Sequence, residues 1–241
     1  MIKDDVISRN KTALFIPIAT DKYNYLEKKI KEENFIGLKP YPDLAVGLDY
    51  DNQNSISIFN FLSEEHLKIA NKLGLIILLH IPKIKRLNDK KNLDDIINIC
   101  NSYPNIKLIL AHAGRSYCVS DLVDSIKKIY RLKNLYVDTA MINNWEVIEL
   151  LLEYLGCEKI IYGSDLPVAA FRGKNICINN KHFFVTYPPF PWSLSNESLR
   201  EDNFTFFLYE EIRAILKAIK KKKMDKKVIS NIFYKNIKDL M

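Results

Sequence analysis

No apolar run in this 241-residue chain approaches the roughly 20 residues that a membrane-spanning helix requires; the longest extends only from Leu73 to Leu79. The first ten residues, MIKDDVISRN, lack the apolar core and small-residue cleavage site of a secretion signal. No two of the four cysteines, Cys100, Cys118, Cys157 and Cys177, are spaced as CxxC. That argues against a four-cysteine zinc site and makes a reducing, cytoplasmic compartment the simpler expectation, with no disulfide staple needed. Also absent are GxGxxG and GxxxxGK[ST], so nucleotide-binding readings lose their main support, and no repeat of fixed length is found. What remains is an ordinary globular mixture, 48% apolar and 27% charged, which excludes a disordered chain. One large domain or two small ones would bury a proper core at this length, and the expectation is a single domain over residues 1–241.

Charge is equally uneven. Of the net +7, the stretch KAIKKKKMDKK (217–227), with seven lysines and one aspartate, supplies all but one unit. Lysines at a helix C-terminus complement the macrodipole, and no aromatic residues interleave with them as in a base-stacking surface. No nucleic acid and no membrane is expected as a partner.

Setting β-branched apolar runs against 3.6-residue periodicity gives an alternation of strands and helices. Strands are predicted at 13–20, 35–42, 75–81, 106–112, 134–140 and 159–165, and helices at 21–34, 63–74, 92–103, 119–132 and 143–156. Ser63 is a predicted N-cap and Gly74 a predicted stop. A long loop is expected over 43–58 and an irregular, proline- and aromatic-containing region over 166–198. Helices are then expected at about 197–223 and 225–240, with Phe204, Phe206, Phe207 and Tyr209 packing inward.

Strands apolar on both faces and separated by helices imply a parallel sheet, either doubly wound or a β/α barrel. Lys39, His80, His112, Asp138 and Asp165 each close a predicted strand. In a barrel all strand C-termini ring one mouth, whereas in an open sheet only those beside the switch point meet, so the barrel accounts for more of these residues. A lone strand-end histidine is commonly structural. Two at equivalent strand ends, in a chain with only four histidines, point to function. His66, in a helix, and His182, in the irregular region, are read as structural or peripheral. Asp165 alone would pass for an Asx turn or a helix cap. With His80 and His112 it completes an N,N,O donor set of the kind that binds Zn²⁺ and activates water.

The series GLKPYP, LIILLH, LILAHAGRS, LYVDTA and IIYGSDLP resembles the amidohydrolase superfamily of metal-dependent hydrolases, in its amidohydrolase-related branch, over roughly residues 13–240. HAGR (112–115) and GSDLP (163–167) are its most specific pieces. The resemblance implies a TIM-barrel-like fold, with β/α units over 13–165, a rim loop over 166–198 and C-terminal helices over 199–241. It implies His80 as a metal ligand, His112 at the reacting centre, and Asp165 as both metal ligand and acceptor of the proton of metal-bound water. His112 would polarise or orient a small-molecule substrate. Lys39 would hold a substrate anion or neighbour the metal site, and Arg115 and Arg172 are candidates for binding a carboxylate, with plain surface roles as the alternative. Zn²⁺ leads as the metal, and Mn²⁺, Fe²⁺ and Co²⁺ suit the same donors. The implied activity is hydrolysis of a C–N or C–O bond; the alternatives are nonoxidative decarboxylation of an aromatic acid, and a catalytically inactive remnant acting as a binding or assembly module.

The family's first strand ends in an H-x-H pair of metal ligands, and no H-x-H occurs here. Counting back from LIILLH as strand five leaves strands one and two without a place, so an incomplete barrel is expected. Three explanations stand: a longer natural product, a short paralogue that has lost its metal, or a partner chain that supplies the missing ligands. Unpaired edges at 13–20 and 159–165 would favour a homo-oligomer.

Overall fold

The computed structural model describes residues 12–45, 54–194 and 200–241. The N-terminal eleven residues, much of the expected loop at 43–58 and the start of the helix expected from 197 lie outside them. Six strands, β1 (Leu14–Phe15), β2 (Gly37–Leu38), β3 (Ile76–Leu79), β4 (Lys107–Leu110), β5 (Leu135–Asp138) and β6 (Ile160–Ile161), form one sheet in which each adds beside its predecessor in chain order. The pairings of β1 with β2, β2 with β3, β3 with β4 and β5 with β6 are parallel. A doubly wound sheet reverses its order at a switch point, whereas a β/α barrel adds strands in sequence, so the fold is α/β and TIM-barrel-like. Three strands, β1, β2 and β6, are two residues long and much shorter than the predicted 13–20, 35–42 and 159–165. Pro17 and Pro40 have no N–H for a ladder and lie just past β1 and β2.

The chain divides into two compact units. The first comprises Met1–Leu110, Leu132–Tyr136 and Leu240–Met241. Its helices are α1 (Tyr23–Glu33), α2 (Glu64–Leu73) and α3 (Lys90–Ser102). The hydroxyl of Ser63 accepts the N–H of His66 at 3.4 Å, and Gly74, at φ 65°, ends α2 in the left-handed region, as its sequence predicts. Asp89 caps α3 by accepting from the N–H groups of Lys91 and Asn92. Leu26, Ile69, Ile77, Leu79, Ile96 and Ile99 are among the buried side chains of this unit.

The second unit comprises Ala111–Arg131 and Val137–Asp239. Here the helix expected over 119–132 is reduced to a 3₁₀ turn at Val119–Asp121 and one turn, α4 (Ile126–Ile129). Asn144 caps α5 (Trp145–Leu155), which buries Val147, Ile148, Leu151 and Leu152. The long helix α6 begins at Phe207 rather than near Glu197 and runs to Lys221. Of the four aromatics expected to pack inward, Phe207 is fully buried, whereas Tyr209 is 52% exposed. The chain's last helix is interrupted by a π-turn at Asn231–Lys235, and the carbonyl of Ile232 accepts the N–H of Tyr162 at 2.9 Å, just beyond β6. The lysine cluster is partly spoken for. Lys217 and Lys221 stand over the Trp145 ring and Lys222 pairs with Glu153, so α6 uses them to hold α5.

Two expectations are corrected here. The region 166–198 is not simply irregular: β7 (Arg172–Ile178) and β8 (Lys181–Tyr187) form an antiparallel hairpin. Its two-residue turn, Asn179–Asn180, has φ of 50° and 62°, the pair of left-handed residues that matches the twist of the strands and that asparagine tolerates. Cys118 and Cys177 are joined in a disulfide, with Cα atoms 5.9 Å apart. They are 59 residues apart in sequence, a pairing that depends on the hairpin and that no local spacing displays. Cys100 and Cys157 are buried and take no part in a disulfide. Among the described residues no helix is long and apolar enough to cross a membrane.

Candidate active site

At the end of β4 the chain turns into an unusual conformation. His112, Ala113, Gly114 and Arg115 all have positive φ, at 53°, 48°, 68° and 58°, so HAGR forms one left-handed turn closed by the N–H of Ser116 on the His112 carbonyl at 3.1 Å. Left-handed backbone costs an L-residue about 1–2 kcal/mol, from which only Gly114 is exempt, so the turn needs support from its surroundings. Asp138, the last residue of β5, provides it. Its Oδ1 accepts the backbone N–H of His112 at 2.6 Å and that of Ala140 at 3.1 Å. Close approach at this point is permitted by Gly163, where a Cβ would lie 3.3 Å from the Cβ of Asp138.

The imidazole is fixed as well. His112 Nδ1 lies 3.0 Å from the carbonyl oxygen of Ala140. A carbonyl only accepts, so Nδ1 carries a proton, and the neutral ring keeps its lone pair on Nε2. Burial pushes the Asp138 carboxyl above the usual carboxylate range, an effect that the backbone N–H groups of His112 and Ala140 oppose and the charge of Asp165 reinforces.

Beneath the segment 139–141 lies a second carboxyl. Glu211, from α6, is fully buried. Its Oε1 is 2.8 Å from the Thr139 hydroxyl, and its Oε2 accepts the Met141 N–H at 3.2 Å. Burial raises its pKa to about 9, which keeps it protonated near neutrality. Two carboxyls thus hold alternate residues of one short segment, and the carbonyl between them orients His112.

His112 and Asp165 line one cavity of about 660 Å³ in this unit. Asp165 reaches it from the GSDLP turn, where its own φ is 54° and its carbonyl accepts the Ala169 N–H at 3.2 Å. The remaining wall is largely aromatic: Tyr117 from the loop after HAGR, His182 and Phe184 from β8, Phe171, and Trp192. Tyr117 and His182 are stacked, with centroids 4.9 Å apart and planes at 26°.

The expected residues therefore separate. His112 and Asp165 come together, and His182, read from sequence as peripheral, joins them because the hairpin carries it there. Asp138 and Glu211 act from behind. Glu211 gave no sequence signal, being one acidic residue on an amphipathic helix. Arg172 pairs with Glu201 at 3.0 Å, donates to the Phe204 carbonyl at 2.9 Å and lies over the Phe206 ring. Arg115 closes the left-handed turn and is half-buried, and neither arginine lines the cavity. In the first unit His80 stacks on Tyr41 at 4.7 Å, with the Lys39 ammonium 5.3 Å from the same ring. Among the described residues no group of three or more His, Cys, Asp or Glu side chains is placed to hold a metal ion. The donors described do not fit the metal that the resemblance implies.

A protein-family model described as Amidohydrolase matches residues 14–201. The chain belongs to the amidohydrolase family. No curated protein sequence matches it. Among solved structures, this amidohydrolase is similar to a probable 2-pyrone-4,6-dicarboxylic acid hydrolase from Acinetobacter baumannii, at 15% identity and TM-score 0.53, over 94% of this chain and 71% of that one. It is similar to 4-oxalomesaconate hydratase from Rhodopseudomonas palustris, at 13% identity and TM-score 0.55, over 90% and 59%. A third, an amidohydrolase from Burkholderia multivorans with bound zinc, shares 11% identity at TM-score 0.51, over 91% and 70%. At such identities these likenesses carry the fold alone. Amidohydrolases are generally metal-dependent, and their members include hydrolases, hydratases and decarboxylases.

Proposed function

We propose that this amidohydrolase hydrolyses a C–N or C–O bond of a small molecule in the cavity that His112 and Asp165 share. The observation that carries the reading is the 3.0 Å contact of His112 Nδ1 with the Ala140 carbonyl: with Nδ1 the donor there, the neutral ring presents an acceptor at Nε2. Such a ring takes a proton from water and does not, while neutral, donate to a substrate carbonyl. The water oxygen adds to the electrophilic carbon as its proton passes to Nε2. The Asp165 carboxylate stabilises the imidazolium that forms, and collapse breaks the C–N or C–O bond as the proton passes on to the leaving atom.

Turnover of chromogenic aryl esters and anilides tests this, with each protein assayed after chelation and again with added Zn²⁺ or Mn²⁺. His112→Gln and Asp165→Asn are each expected to lower turnover by about 100-fold or more. Unchanged turnover in both variants sinks the reading. Decarboxylation of an aromatic acid is less well served, because neither Arg115, offered as its carboxylate clamp, nor Arg172 lines the cavity, and Arg172 is engaged by Glu201. A non-catalytic binding role is favoured by one observation, the lack of a three-donor cluster among the described residues; ligand binding without turnover under every metal condition would support it.

A further inference from the structure

We infer that the cavity takes a flat, uncharged ring, and that its aromatic wall is assembled in advance by the Cys118–Cys177 disulfide. The inference rests on the reading of this cavity as the substrate site.

The wall has two origins in the chain. Tyr117 immediately precedes Cys118, while His182 is the cross-strand partner of Cys177 in the hairpin register. The disulfide therefore joins the two backbone positions adjacent to the stacked Tyr117 and His182 rings. Phe184 meets Tyr117 edge-on at 5.7 Å and Trp192 edge-on at 5.3 Å, and Trp192 in turn lies flat against Phe190 at 5.1 Å. Each ring is thus braced by at least one other. A side-chain set held this way loses little further freedom when a ligand arrives, which is how preorganisation converts contact into affinity.

Charge selects within that shape. Aromatic faces present the negative side of their quadrupole, and Asp165 adds a carboxylate to the same cavity. A ligand carboxylate placed there would give up its hydration to face a like charge and π-faces, whereas an uncharged ring stacks without that loss. The ring class is therefore an aryl or heteroaryl amide or ester, uncharged, with its carbonyl directed to the His112 and Asp165 side of the cavity.

Benzamide and benzoate, alike in size and differing in charge, separate the alternatives. Binding to the full oxidised chain is measured at pH 7 by ligand-observed NMR titration, which needs no turnover. Benzamide is expected to bind at least about tenfold more tightly than benzoate. Phe184→Leu, and separately reduction of the disulfide with the fold retained by circular dichroism, are each expected to weaken benzamide by about fivefold. Benzoate binding equally or more tightly, benzamide not binding at all, or benzamide indifferent to Phe184→Leu overturns the ligand class. Benzamide unaffected by reduction overturns the role given to the disulfide. Preferential benzamide binding by a chain that turns over no ester or anilide would retain the ligand class and reject the hydrolase reading. Turnover of non-aromatic esters that depends on His112, without benzamide binding, would do the reverse.

Discussion

His80 directly follows β3, whereas His112 lies two residues past β4 and one position further in the register, and their surroundings differ in kind. The His80 ring stacks on Tyr41, and the Lys39 ammonium lies 5.3 Å from the centroid of the same Tyr41 ring. Stacking of that sort fixes the plane of the ring. At His112 both the backbone and Nδ1 are held, by Asp138 and by the Ala140 carbonyl, so the tautomer is chosen as well as the plane. Two histidines that close similar apolar runs therefore differ in chemical capacity, and the difference arises from the one-residue offset and from residues far along the chain, at 138–141 and 211.

Removing that distant support is the most direct way to erase the contrast. Glu211 has the largest expected effect. Its folded pKa of about 9 lies above the ordinary value of 4.5, so between those values the folded chain binds more protons than the unfolded one. Its contribution to stability is full below about pH 4.5 and is lost as pH rises toward 9, by up to about 4 kcal/mol between pH 5 and pH 8 at 1.36 kcal/mol per pH unit. Glu211→Gln, which donates and accepts as a protonated glutamic acid does, should flatten that dependence and melt higher than the wild type at pH 8. Thermal melts at the two pH values read it directly.

Next comes Asp138→Ala. It strips the acceptor from two buried N–H groups in a turn that is already costly, and a loss of roughly 3 kcal/mol is expected in urea denaturation. The ring ¹⁵N shifts of His112 should then report a mixed tautomer population. Smallest is Tyr41→Leu, which removes the ring beneath His80 and should cost about 1 kcal/mol. The His112 ¹⁵N shifts should not move. If they do, the two histidines do not have the separate supports described for them.

Much of this was open to a reader of the sequence, and the reasons are local. Ser63 and Gly74 mark their helix because a cap and a stop act on neighbouring backbone. The apolar runs before His112 and Asp165 locate β4 and β6, but the two residues lie two and four positions past those strands, in turns and not at strand ends. The hairpin was legible in principle, since Asn179–Asn180 between two strand-like runs is the composition of a two-residue turn, but the nearby prolines and aromatics obscured it. Glu211 was beyond reach. Nothing within several residues of it announces full burial, and its partners Thr139 and Met141 lie some 70 residues away. The left-handed HAGR turn was hidden for the same reason: one glycine among four residues predicts at most one positive φ, and the other three are sustained by a carboxylate from another strand.

Between Cys118 and Cys177 the covalent structure is a closed ring, made of 59 peptide links and one sulfur bridge. Asp138 and Asp165 both lie on that ring, and His112 lies on the chain that enters it. A single proteolytic cut anywhere between the two cysteines opens the ring without detaching anything: until the bridge is reduced, the pieces bearing the histidine and the two carboxyls remain one molecule.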